Sequence, residues 1–591
     1  MKEKAAAELT LLLLLMLALN VRPAKAQETI YIRADGSVVP ETVPILSIDN
    51  ITYTLYGDLY DPIVVERDNI TLDGTGHTLL GTGNGTGINL AYRSNVTVKN
   101  MEIKMFNEGL RLEHSSNNTI CGNNITANNW YAIFAIWSYN NTIRENNITA
   151  NGDGIWLKGS SRFNVITRND VTANKFNGVG VSSSSDNEVS SNNIADNSYG
   201  IWIKEYSSNN VISGNNITGS KIRGLRLYLS LDNTLRNNSI VGGKYNFHVW
   251  GEDLTQFVND VDVSNTVDGR PIYYWIDEHD RAVPLDAGYV ALVDCASIEV
   301  ENLSLTENGQ GILLANTTNS TIANNNITKN EYGALLYMSS NNSIYHDNLV
   351  DNHAQVYDIN STEPSVNRWD NGYPSGGNYW SSYTGLDFYG GLYQNEAGSD
   401  CIGDIPHATN GNNQDNYPLM APINIFDAGN WNGTACQIDA ISNSTVSNFQ
   451  LDIVQGIVSF NVTSQTGFGF CRVTIPNIII QDLWSYNYTV LLNGQQWPFS
   501  ERVDTTNRYI YIEYAQANHE VIIIPEFRTF VVLTFLIALI TFVLVFYRTT
   551  GKAASEKKVN ANKTAKEASI IMDVRGGEPN STQDGGRLTG K

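Results

Sequence analysis

Asp277-Glu278-His279-Asp280 sets three carboxylates around one imidazole, the residue types that general acid–base chemistry on a glycosidic bond requires. Asp277, Glu278 and Asp280 are therefore the catalytic candidates, against the plainer reading of four solvated charges in a loop. Asp400, Asp404 and Asp415 lie among Gly, Asn412, Asn413 and Asn416. Hard oxygen ligands of this kind suit calcium, although no D-x-[DN]-x-[DN]-G loop is spelled out. The neighbouring stretch carries Trp369, Tyr373, Tyr379, Trp380, Tyr383, Phe388, Tyr389 and Tyr393, rings that either stack on sugars or close a core. Of the five cysteines, Cys436 and Cys471 share one β-rich block and are the candidate disulfide, two buried thiols being the alternative.

The elements that must position these residues come from a repeat. Ile120, Ile143, Ile166, Val189, Ile212 and Leu235 recur every 23 residues, and Ile125, Ile148, Val171, Ile194, Ile217 and Ile240 follow five positions on. Two asparagine columns keep the same step: Asn118, Asn141, Asn164, Asn187, Asn210 and Asn233, then Asn123, Asn146, Asn169, Asn192, Asn215 and Asn238. A third runs through Asn128, Asn151, Asn174 and Asn197 and ends in Ser220 and Gly243. Each repeat adds a period-two strand such as Gly154-Ile155-Trp156-Leu157 or Gly200-Ile201-Trp202-Ile203. Three short strands per repeat, separated by Asn or Gly bends, make one coil of a right-handed parallel β-helix with an aliphatic core and inward amides forming a ladder. Asn also suits corners that need a left-handed backbone. A leucine-rich repeat has an overlapping period, but its return segment wants helix formers that are scarce here.

Residues 298–352 resume the pattern at a 22-residue step, so the reading is one helix over 27–360, interrupted by an insert at about 251–292. A cap follows at 361–420. Strand-like runs over 421–526 read as a small β-sandwich, giving an all-β chain. Lys2, Lys4, the apolar run Leu11 to Leu19 and Ala24-Lys25-Ala26 read as a signal peptide over 1–26. Residues 529–547 carry no charge and are long enough for a membrane helix, and Arg548, Lys552, Lys557 and Lys558 behind it place a disordered tail, 548–591, in the cytoplasm. The bulk of the chain is then extracellular, anchored by a single pass. A net charge of −22 excludes a phosphate-neutralising nucleic-acid binder. N-x-S/T sequons abound; those at Asn432, Asn443, Asn461 and Asn487 lie outside the repeat and are the better glycan acceptors.

The segments Asn69-Ile70-Thr71-Leu72-Asp73-Gly74-Thr75-Gly76-His77-Thr78-Leu79, Val267 to Trp275 with Asp286-Ala287-Gly288-Tyr289-Val290, and Gly372-Tyr373-Pro374-Ser375-Gly376-Gly377-Asn378-Tyr379-Trp380 resemble the β-helix family named after NosD, over most of 40–420. The likeness is greatest to archaeal surface proteins grouped with it. Ile524-Pro525-Glu526-Phe527 resembles the Pro-Glu-Phe sorting signal of such proteins, with a longer tail after the span. The family's nominal ligand is copper, which wants clustered Cys, Met and His. Met101 and Met105 with His114, or His346 with His353, are the nearest groupings, and they are so sparse that copper is not expected. The expectation is a binding or cell-envelope role toward carbohydrate or surface-layer components, with calcium as the one candidate cofactor. The alternatives are a copper accessory protein and a polysaccharide lyase, hydrolase or epimerase.

Overall fold

The computed structural model describes residues 28–359, 364–411, 413–464, 467–526 and 537–550. The signal-peptide expectation over 1–26 lies outside them. The chain is an all-β parallel solenoid of about 13 turns.

In its first part each coil contributes one strand to each of three parallel sheets. Strands of six residues such as Asp153–Lys158 and Tyr199–Lys204 build what we call the front sheet, and strands of three residues such as Thr142–Arg144 and Asn147–Thr149 build the other two. Register is in step, Ile120 opposite Ile143 and Ile125 opposite Ile148, so both aliphatic columns are fully buried. Each such side chain contributes roughly 1.5–3 kcal/mol. Glycine stands near the start of most front strands, where the next coil passes closest: a Cβ on Gly154 would meet the Gly178 carbonyl oxygen at 2.4 Å, and one on Gly178 would meet that of Gly200 at 2.7 Å.

All twelve residues of the first two asparagine columns are buried. The Asn164 Oδ1 accepts from both the backbone N–H and the Nδ2 of Asn141, at 3.0 Å each, while its own Nδ2 donates to the Ser138 carbonyl at 2.9 Å and to the Asn187 Oδ1 at 3.0 Å. Corner amides that water cannot reach are thus satisfied from the next coil. The ladder residues themselves are not left-handed. That conformation falls one position earlier, on Asn117, Asn140, Phe163, Asp186, Asn209 and Asp232. Two of the columns also run further than the 23-residue step: Asn233 donates to Asn259 Oδ1 at 3.1 Å, and Asn238 to Asn265 Oδ1 at 2.8 Å.

The expectation of one interrupted helix is corrected. Thr266–Val267 pairs antiparallel with Arg270–Pro271, which reverses the chain and starts a second solenoid. Its first sheet is built from Arg270–Ile276, Tyr289–Val293, Gln310–Ala315, Tyr332–Tyr337 and Ala354–Asp358, and its middle strands Tyr289–Val293 and Gln310–Ala315 are buried on both faces. Val290, Leu292, Ile312, Leu314 and Leu336 face the second core, whereas Tyr289, Ala291, Val293, Leu313, Leu335 and Tyr337 join the core of the first solenoid. The last front strand, Tyr245–Trp250, is sealed by this contact: Gln310 Nε2 donates to the Val249 carbonyl at 2.6 Å, and Gly309 N–H to that of Phe247 at 2.8 Å. The edge that would otherwise stay unpaired is covered.

Trp369 and Trp380, both fully buried, stand at the far end of the second core, Trp380 in register with Leu349. Residues 423–525 form two five-stranded antiparallel sheets sharing one apolar cluster. Arg472 ties them to the cap, donating to the Pro374 and Ser375 carbonyls at 3.1 and 2.7 Å. Cys436 and Cys471 are free thiols, not a disulfide. Cys471 opposes Ser442, six positions along the paired strand from Cys436, which at strand rise is a separation of about 20 Å. Of the span expected at 529–547, the described part from 537 is helical with exposed apolar side chains. Among the described residues no helix is long and apolar enough to cross a membrane.

Two predictions follow the ladder. Asn164→Ala leaves the Asn141 donors without their acceptor and should cost on the order of 2–5 kcal/mol in denaturant unfolding, whereas Asn147→Ala, at an exposed amide, should cost under about 1 kcal/mol. Asp347 occupies a ladder position, and burial pushes its carboxyl up to about 7, with Oδ2 lacking a partner. A folded-state value above the ordinary one means the folded state holds the extra proton between about pH 4 and 7, so this group's contribution to stability is lost as pH rises through that window. Asp347→Asn should therefore raise the melting temperature at pH 8, leave it nearly unchanged at pH 4, and flatten the profile between them.

Candidate functional site

Of the three sheets of the first solenoid, the front sheet alone has strands long enough to present three outward side chains per coil. Leu110 and Leu112, Ile155 and Leu157, and Ile201 and Ile203 point inward, so the residues between and beside them form outward columns. The central column runs Arg111, Phe134, Trp156, Gly180, Trp202, Arg226, His248 in paired register. Tyr131, Asp153, Asn177, Tyr199 and Arg223 flank it on one side, and Lys158, Ser182, Lys204, Tyr228 and Trp250 on the other.

The rings are ordered against one another and against cations. Tyr131 stacks on Phe134 at 4.7 Å between centroids and Tyr199 on Trp202 at 4.9 Å. Gly180 leaves the floor on which the Trp156 indole lies: a Cβ there would sit 2.1 Å from the ring. Lys204 Nζ stands 4.7 Å from the Trp202 ring and 5.5 Å from that of Trp156, and Arg111 reaches over Phe134 at 5.2 Å while paired with Glu108 and Glu113. Asp153, largely buried, accepts from the Asn177 N–H at 2.9 Å and Nδ2 at 2.6 Å, and burial raises its carboxyl above the ordinary range. One corner beyond the front strands, the exposed rings of Tyr92, His114 and Trp137 stack at 5.2 and 4.9 Å. Flat rings edged by polar groups fit a pyranose, which has an apolar face of C–H bonds and a rim of hydroxyls.

The residues singled out from sequence lie elsewhere. Asp277, Glu278 and Asp280 sit on an exposed corner; the Asp277 side chain is 78% exposed against His279, and Glu278 pairs with Arg281 at 2.8 Å. Asp400, Asp404 and Asp415 are not brought into one site. Asp415 is buried, accepting from Asn378 N–H, Trp380 Nε1 and Tyr417 N–H, and burial pushes it up to about 7. Asp404 accepts from the N–H groups of Phe388 and Tyr389, and Asp400 from that of Ile402, so the three carboxylates hold three separate turns. Among the described residues no three His, Cys, Asp or Glu side chains cluster as a metal site. Met101 is in the core while Met105 is 48% exposed, and His346 is half-buried against Ser375 with His353 on the surface. Of the cap aromatics, Trp369 and Trp380 are core, while Phe388, Tyr389 and Tyr393 are exposed. A second aromatic recess of about 560 Å³ lies where Ser399 meets Phe468, Trp497, Phe499 and Tyr511.

A family model described as "Periplasmic copper-binding protein (NosD)" matches residues 47–198 and 286–385, and one described as "Right handed beta helix region" matches 135–275. Over these residues the solenoid is similar to both families. No curated protein matches the chain. Among solved structures, the Dettilon tailspike protein gp208 is 11% identical, with 80% of this chain and 86% of that one covered at a TM-score of 0.26. The Azotobacter vinelandii mannuronan C-5 epimerase AlgE4 A-module is 14% identical over 54% and 88%, at 0.29, and the periplasmic alginate epimerase AlgG is 15% identical over 55% and 79%, at 0.28. Likenesses this distant say nothing of chemistry.

The front columns had a signal in the sequence. In Gly-Ile-Trp-Leu and Gly-Leu-Arg-Leu the third residue alternates outward, and reading it down the repeat lists the central column. The floor under Trp156 can be checked directly. Gly180→Ala should lift the indole from the sheet and red-shift tryptophan fluorescence, and Trp156→Phe in the same background should remove most of that shift.

Proposed function

We propose that this chain is a cell-surface carbohydrate-binding protein whose front sheet is the binding face. The observation that carries the reading is the ordered run of Tyr131, Phe134, Trp156, Tyr199 and Trp202 on the widest sheet of the first solenoid, along its axis, interleaved with Asp153, Asn177 and Lys204. In this reading the two antiparallel sheets of 423–525 are a small β-sandwich between the solenoid and a single membrane span at 529–547, and a leader at 1–26 takes the chain out of the cell.

A copper role is favoured by the family description, yet Met101 and Met105 point to opposite sides of the coil and His114 is engaged in a ring stack. Catalysis at Asp277, Glu278 and Asp280 would need a groove at that corner, where the side chains are exposed and paired with neighbours. The glycan reading uses the face as built.

The test is affinity electrophoresis of the detergent-purified full chain through gels containing a panel of neutral and acidic polysaccharides. At least one polymer should retard it, and Trp202→Ala and Tyr199→Ala should each weaken that binding by about tenfold or more, the size of an aromatic hot spot. A parent chain that no polymer retards, or variants retarded as strongly as the parent, would sink the reading.

A further inference from the structure

At the end of the front face three side-chain nitrogen atoms are buried without a hydrogen-bond partner. Arg226 lies over the rings of Trp202 and Tyr228, at 5.4 and 4.4 Å, with its Nε buried and unpartnered. Among the described residues, no hydrogen bond or ion pair to its guanidinium is found. One rung before it, Trp202 Nε1 is buried without an acceptor; one rung after it, His248 is 1% exposed with Nδ1 unpartnered. The three follow one another down the central column, about 4.8 Å apart.

The nearby carboxylate is already engaged. Glu331, brought in by the second solenoid, takes Arg223 through both oxygens, with Nε to Oε2 at 3.1 Å, and it stands 3.6 Å from His248 Nε2. Burial, with Arg223 beside it, pulls the Arg226 guanidinium down to about 10, and burial with both arginines nearby keeps His248 well below its ordinary value and so neutral. A half-buried cation without an ion pair is costly, and the orphaned indole N–H adds to that cost. In a chain of net charge −22, a guanidinium without an ion pair beside an unpartnered indole N–H suits an anion.

We propose that Arg226 and the Trp202 indole N–H, backed by His248, bind the anionic substituent of an acidic glycan, a carboxylate or a sulfate ester, while the rings of the front face hold its sugar rings. This rests on the carbohydrate reading above and narrows it. The donors stand at the seam where the second solenoid meets the first, so the anion occupies one end of the bound polymer segment and sets its register.

Two matched pairs test it on the detergent-purified full chain: polygalacturonate against its methyl ester, and dextran sulfate against dextran. One acidic polymer should bind about tenfold or more tightly than its neutral partner, and the pair that shows the preference identifies carboxylate or sulfate as the anion. Arg226→Gln should bring acid and neutral affinities together. Trp202→Phe, which keeps a ring and removes the N–H, should reduce the preference while retaining binding of the neutral polymer. Without ligand, Arg226→Gln should melt no lower than the parent, since it removes a half-buried charge that has no ion pair; a lower melting temperature counts against the site. Equal binding of acid and neutral forms overturns the anion site and leaves the carbohydrate reading standing. A preference that Arg226→Gln retains overturns it as well, and a chain that binds none of the four polymers overturns both.

Discussion

Each coil must turn three corners, and at each the backbone carries N–H groups where water does not reach. The inward asparagine answers that constraint. One amide oxygen takes two donors from the preceding coil while the amide nitrogen donates to a carbonyl and to the next amide, as Asn141, Asn164 and Asn187 do in sequence. The aliphatic columns could stack in other registers, but the amide chain has only one in which no member is orphaned. The in-step rows of outward side chains on the front sheet derive from that register.

A solenoid built this way is left with raw ends. The first is closed by another part of the same chain, a sheet that serves as wall to one core and lid to another, with Gln310 occupying the backbone groups of Val249. The second is closed by Trp369 and Trp380. Closing the first end is also what brings Glu331 and Tyr332 to the front face, so the chemistry at Arg223, Arg226 and His248 is a product of how the core was sealed.

The repeating part was legible because period and burial coincide: every aliphatic and amide position read from the 23-residue step is buried where it was placed. The reversal at Asp268-Gly269 was not read, although Asp-Gly between short apolar runs is a hairpin signal, because the coils that follow it keep nearly the same step. Asn259 and Asn265 continue the ladder but sit 26 and 27 residues on, where the period had slipped. The candidate site was hidden for a different reason. Its residues are the ones a search for core positions discards, and the acidic loops that attracted notice, Asp277 to Asp280 and the aspartates of the cap, owe their composition to turns and solvent.

Because the regular coils touch only their neighbours while both closures are bespoke, genetic duplication of a single 23-residue unit within 118–240 adds one rung without disturbing either end. The length of the front face is thus a heritable quantity that can grow or shrink in whole steps of about 4.8 Å. Recombination alone thus suffices to change the reach of that face, leaving the seam, the closures and every core contact as they stand.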